Sequence, residues 1–125
     1  MYYLYDIYLY KLMHEAGHSS AKGLVMFSDD EVEQEVQAKG LTAPRVTPDE
    51  VDQTITTRQF HVFPGTTVTV CALTLRNGFV ITGESACASP ENFDKELGRK
   101  IAFGNARDKI WQLEGYALRD RLATG

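Results

Sequence analysis

The sequence predicts a small α+β domain, and three observations carry this prediction. From residue 28 onwards, the chain contains two helix-start signals and then a run of β-branched residues with a hairpin turn. A long helical pattern follows. We expect a small antiparallel sheet, made of a hairpin (residues 67–75 and 79–86) and a strand near 58–63. Two short N-terminal helices and a long C-terminal helical segment over residues 90–122 would pack with this sheet.

Residues 1–25 differ from the rest of the chain. Five of the six tyrosines fall in an aromatic and aliphatic run that ends at Leu12, and a Gly- and Ser-containing stretch follows. The run has no basic leader and no long apolar core, so it does not resemble a signal peptide. No stretch has the apolar length of a transmembrane helix. We therefore interpret residues 1–25 as an extension and predict one domain over residues 26–125.

Two capping boxes predict the short helices. Ser28 with Glu31 begins the first helix, and Gly40 is placed to end it. The stretch Thr47-Pro48-Asp49-Glu50 repeats the pattern with proline at the first helical position. Ile55 would lie on the buried face of this second helix.

The hairpin prediction depends on Asn77-Gly78, a pair that accepts the positive φ angles of a two-residue turn. Such a turn would place Leu75 opposite Val80 and Thr74 opposite Ile81. Apolar residues would then appear on both faces of the hairpin.

The segment from Phe93 to Leu122 has two apolar stripes at about 100° per residue. One contains Phe93, Leu97, Gly104, Trp111, Leu118 and Leu122, and the nearly opposite one contains Ala102, Ala106, Ile110, Leu113 and Ala117. A helix with two apolar sides has to be buried twice or break midway. We expect one side to cover the sheet and the alanine-lined side to contact a second copy, which predicts a homo-oligomer.

The charge of the chain argues against a protein that binds nucleic acid through its overall charge, but it is compatible with binding of a small anion. The formal net charge is −4. Residues 1–75 hold 5 Lys/Arg against 10 Asp/Glu, and residues 76–125 hold 8 against 7, so the two parts carry −5 and +1. A local basic pocket in the second part can therefore bind an anion.

The junction between the hairpin and the long helix is the predicted ligand site. Ser85, Asn92 and Phe93 lie there, Arg99 and Lys100 follow within two or three turns, and Arg107 and Arg119 continue the basic series. Arginine binds phosphate with paired hydrogen bonds, and an aromatic ring stacks on a base. The alternative is a solvated helix face whose basic residues pair with Asp94, Glu96 and Asp108.

No pattern predicts an enzyme, a metal site or a cofactor. His14-Glu15-Ala16-Gly17-His18 matches the zinc-protease spacing, but Gly17 interrupts the helix that this motif needs. Cys71 with His61 is better explained as two core strand residues than as a catalytic pair. We expect both cysteines to be buried free thiols.

The segments NGF, TGESAC, ENFD, GRKIA and WQLEGY resemble the phage protein family named for gene product 49 of one phage and gene product 66 of another. The resemblance covers about residues 26–122. That family is similar to the type-one anti-Thoeris sponges, which are oligomeric α/β proteins that sequester cyclic ADP-ribose signals made by bacterial TIR-domain enzymes.

The resemblance implies a phage counter-defence protein in the bacterial host cytoplasm. It would bind a cyclic ADP-ribose isomer or a cyclic oligonucleotide without catalysis, through Asn92, Phe93, Arg99 and Ser85 at the matching motif positions. The alternative is a phage accessory protein that binds and inhibits a host protein.

Overall fold

The computed structural model describes residues 28–125. The predicted extension and the His14-Glu15-His18 motif lie outside the described residues. The described chain divides into two compact units. The helical unit comprises residues 28–50 and 111–125, and the sheet unit comprises Val51–Ile110.

Helix α1 (Asp29–Ala38) begins and ends as the sequence predicts. Ser28 Oγ accepts a hydrogen bond from the Glu31 amide at 3.1 Å, and Glu31 Oε1 accepts one from the Ser28 amide at 2.8 Å. Gly40 has a φ of 70°, and the Leu41 amide donates to the carbonyl of Val36. The left-handed glycine therefore closes the helix and satisfies its last carbonyls.

Helix α2 (Pro48–Gln53) repeats the capping pattern. Thr47 Oγ1 accepts from the Glu50 amide at 3.1 Å, and Glu50 Oε1 accepts from the Thr47 amide at 3.0 Å. The prediction of Ile55 as a helical residue is wrong, because α2 ends at Gln53 and Ile55 opens the first strand. Its β-branched neighbours Thr56 and Thr57 favour this extended conformation.

The sheet has three antiparallel strands in the order β1-β2-β3. Their bounds are Ile55–Val62 for β1, Thr69–Leu75 for β2 and Val80–Ser85 for β3. The α+β class and the antiparallel sheet are confirmed, and β1 starts earlier than the predicted strand. Every second residue of β2 is buried, from Thr69 to Leu75, so one face of the sheet is covered.

The turn between β2 and β3 differs from the predicted one. The Leu75 amide donates to the Phe79 carbonyl, the Gly78 amide donates to the Leu75 carbonyl, and only Gly78 has a positive φ, of 87°. This is a three-residue loop ending in a left-handed glycine, not a two-residue turn. Leu73 therefore pairs with Ile81 on the covered face, which corrects the predicted register by one residue.

The long helix is continuous, and a different one of its two apolar stripes is buried in each unit. A 3-10 turn (Pro90–Asn92) precedes helix α3 (Lys95–Thr124), whose first turn is capped by Asp94 Oδ1 accepting from the Leu97 amide. In the sheet unit the alanine-lined stripe is buried, with Ala102 and Ala106 fully inaccessible. In the helical unit the other stripe is buried, through Trp111 and Leu118.

Gly83 on β3 explains why the alanine side faces the sheet. A Cβ atom at Gly83 would lie 2.2 Å from the Ala106 nitrogen and 2.6 Å from the Ala102 carbonyl oxygen. Such backbone contact is available only to glycine and small residues. The prediction that these alanines face a second copy is therefore wrong.

Candidate functional site

The predicted ligand residues of the sheet unit lie on two sides of α3. Ser85, Asn92 and Phe93 line a small cavity at the end of β3, together with Leu97 and Ile101 of the helix. Arg99 instead lies over the ring of Phe60 on β1. Arg99 is about 200° around the helix from Leu97, at 100° per residue. One chain therefore does not bring Arg99 and the cavity residues into a single pocket.

The cavity is too small for a nucleotide. Its volume is about 50 Å³, whereas sites for drug-sized ligands have roughly 300–1,000 Å³. Ser85 Oγ donates to the Gly98 carbonyl at 2.7 Å, and Thr67 Oγ1 donates to the Cys87 carbonyl at 2.7 Å. The first hydrogen bond holds α3 against the sheet, and the second holds the segment that follows β3. The cavity is therefore mainly apolar, and the hydroxyl groups of Ser85 and Thr67 already donate to backbone carbonyls instead of to a ligand.

The opposite side of α3 carries an arrangement that we call the arginine–aromatic cluster: Arg58, Phe60, Arg99 and Phe103. The Arg58 guanidinium lies 4.4 Å from the Phe103 ring centroid, and the Arg99 guanidinium lies 5.7 Å from the Phe60 centroid. Both arginines are exposed, and both rings are half-buried. Each cation is therefore held over an aromatic face while its N–H groups remain accessible to solvent.

Strand and helix periodicity build the cluster. Arg58 and Phe60 are two residues apart on the covered side of β1, and Arg99 and Phe103 are four apart on one side of α3. The spacings are roughly 7 Å along the strand and 6 Å along the helix. Each arginine therefore lies over the ring of the other element, and the two guanidinium groups occupy diagonally opposite corners of the cluster.

Arg58 and Arg99 have no acidic partner within the described residues, unlike Arg45 and Arg107. Arg45 makes two short hydrogen bonds with the Glu33 carboxylate, and Arg107 Nε lies 2.8 Å from Asp52 Oδ1. The Arg45 guanidinium lowers the pKa of Glu33, against the opposing effect of burial. The side chain of Arg107 is 15% exposed, so this predicted ligand residue is already engaged.

The remaining predicted residues do not join the cluster. Lys100 is exposed on α3, and Arg119 lies in the helical unit. Cys71 is fully buried in β2, and burial raises the pKa of its thiol while the positive charge of Arg58 opposes that rise. Cys71 and Cys87 are both free thiols, as predicted, but Cys87 is only half-buried, so the predicted burial holds for Cys71 alone.

Sequence reasoning missed Arg58, Phe60 and Phe103. Their signal was present, since an Arg-x-Phe pair on a strand and an Arg-x-x-x-Phe pair on a helix each place both side chains on one side. The pairing of these two elements, about forty residues apart, was not visible in either pattern alone.

Within residues 28–125, no group of three or more His, Cys, Asp or Glu side chains is arranged to hold a metal ion. No helix in the same part of the chain is long and apolar enough to cross a membrane.

A sequence model described as the Phage protein (N4 Gp49/phage Sf6 gene 66) family matches residues 46–122, which is more than half of the chain. The matched region contains the whole sheet and the arginine–aromatic cluster. No curated protein and no solved structure matches the chain.

Proposed function

The chain belongs to this family of phage proteins, and we propose that it binds and sequesters a cyclic nucleotide immune signal without catalysis. The ligand class is a cyclic ADP-ribose isomer or a cyclic oligonucleotide. Such a protein acts as an anti-Thoeris sponge in the bacterial host cytoplasm, where the signal is made. The active form is a homo-oligomer.

The observation that carries the proposal is the arginine–aromatic cluster. Two exposed guanidinium groups without an acidic partner in the described chain make a positive site in a protein of net charge −4. Contact with the rings of Phe60 and Phe103 restrains the two guanidinium groups, so less side-chain entropy is lost when phosphate binds. A nucleotide supplies both the phosphates and a base that stacks on aromatic rings.

Calorimetric titration tests the proposal with cyclic ADP-ribose isomers and cyclic di- and trinucleotides. We expect saturable binding of at least one ligand. Arg58→Ala and Arg99→Ala should each weaken it roughly 10- to 100-fold, the value of one charge-assisted phosphate contact. Arg121→Ala is the matched control, because it removes an exposed arginine from the same helix outside the cluster and should change the affinity less than twofold. Absence of heat with every ligand would refute the proposal.

A second candidate function is inhibition of a host protein through the exposed side of α3. Leu97 and Ile101 are 54% and 47% exposed one turn apart, which is unusual for large apolar residues. Leu97→Asp would then abolish capture of a host protein and leave nucleotide binding unchanged. Capture that persists in Leu97→Asp would argue against this surface.

A further inference from the structure

The two outer edges of the sheet are protected differently. On β3, the Thr82 carbonyl accepts from Lys109 Nζ at 2.6 Å, and the Glu84 carbonyl accepts from Asn105 Nδ2 at 2.8 Å. Both carbonyls belong to the outer edge, since Ile81 and Gly83 are the residues that bond to β2. Side chains that occupy edge carbonyls block the addition of another strand.

The outer edge of β1 has no such protection from the described residues. The Phe63 amide bonds to the Val68 carbonyl of the β2 side, so Arg58, Phe60 and Val62 direct their N–H and C=O groups outward. The strand is eight residues long and contains no proline. Five of the eight residues of β1 are exposed, among them Arg58, Gln59 and His61, so the strand is accessible to solvent.

The sequence of β1 favours an antiparallel self-pairing centred on Phe60 over one centred on Arg58. A register centred on Arg58 would place two Arg58 side chains directly opposite each other, which is unfavourable. A register centred on Phe60 instead places Phe60 opposite Phe60, Arg58 opposite Val62, and Gln59 opposite His61. Roughly six backbone hydrogen bonds would form in this register, two for each outward pair.

We propose that β1 pairs with β1 of a second copy in the register centred on Phe60, and that this edge is the dimer interface. The product is a continuous six-stranded sheet with a twofold axis. Because Lys109 and Asn105 cap both outer β3 edges, the assembly closes at two copies instead of growing into a fibre. The pairing stands whether or not the protein binds a nucleotide.

Cysteine crosslinking tests both the edge and the register. In the proposed dimer, residues 59 and 61 form a non-hydrogen-bonded pair across the twofold axis, with Cα atoms about 4.5 Å apart, within disulfide reach. Gln59→Cys with His61→Cys should therefore crosslink two full-length chains under mild oxidation, in a background with Cys87→Ser. Both positions are exposed on β1, so folding is retained.

Each single variant is the matched control, because residue 59 does not oppose residue 59 and should stay uncrosslinked. Arg58→Cys would crosslink only in the register centred on residue 58. Light scattering on the native chain should give about twice the mass of one chain. A monomeric mass would overturn the proposal, and the edge of β1 would then be available to residues 1–27 or to a strand of a host protein. A dimer whose double variant does not crosslink overturns it too.

Discussion

Replacing Gly83 with alanine should separate α3 from the sheet. The new Cβ would meet the Ala106 nitrogen at 2.2 Å and the Ala102 carbonyl oxygen at 2.6 Å. Both contacts are with helix backbone, so no side-chain rotation relieves them. The helix has to move outward by about 1 Å to restore ordinary contact distances. Overpacking of this kind costs about 3 kcal/mol of unfolding free energy.

Urea unfolding of the native chain, Gly83→Ala and Gly104→Ala measures this effect. Gly104 lies in the same helix, and a Cβ there meets nothing within 4 Å outside the helix's own nearby backbone. Gly104→Ala should therefore raise the unfolding free energy by up to about 1 kcal/mol through helix propensity. If Gly83→Ala stays within about 0.5 kcal/mol of the native chain, the close packing of α3 on β3 is wrong.

Two further predictions concern ionisable groups. Arg45 lowers the pKa of Glu33 from its usual value, so the ion pair stabilises the fold at neutral pH. That contribution is lost as the pH falls through the lowered pKa. The unfolding free energies of the native chain and Glu33→Gln should thus converge in acid, and a constant difference would contradict the assignment. For the thiols, a chromogenic reagent should modify Cys87 rapidly and Cys71 only after denaturation, because Cys71 is fully buried. Equal rates would contradict this burial.

Local signals in the sequence predicted the starts of the two short helices correctly. Ser28 with Glu31 and Thr47 with Glu50 form both hydrogen bonds of a capping box. These contacts join residues three apart, so they depend little on the rest of the fold. The α+β class followed from the same local patterns.

The turn shows where local reasoning fails. Asn77-Gly78 suits both a two-residue turn and a three-residue loop that ends in a left-handed glycine. Packing decides between them, because only the observed register places Leu73 and Ile81 together on the covered face. That preference comes from the approach of α3, which no hairpin pattern contains.

The candidate site was predicted only in part, for a similar reason. Arg99 was chosen from motif resemblance and charge, and it lies in the cluster. Its neighbours on β1 could not be assigned, because the side of α3 that faces the sheet depends on Gly83. The alanine-lined stripe of α3 was predicted to face a second copy, and the contact with Gly83 overturns that prediction.

Recovery of the ligand from a mixture tests sequestration most directly. The native chain is mixed with slightly less than an equimolar amount of a ligand that shows calorimetric binding. The mixture is then filtered through a membrane that retains the protein, and the retained protein is heated. Sequestration without catalysis predicts that the filtrate is depleted and that the heated sample releases the ligand chemically intact. Ligand that stays in the filtrate, or that returns cleaved, would contradict the proposed function.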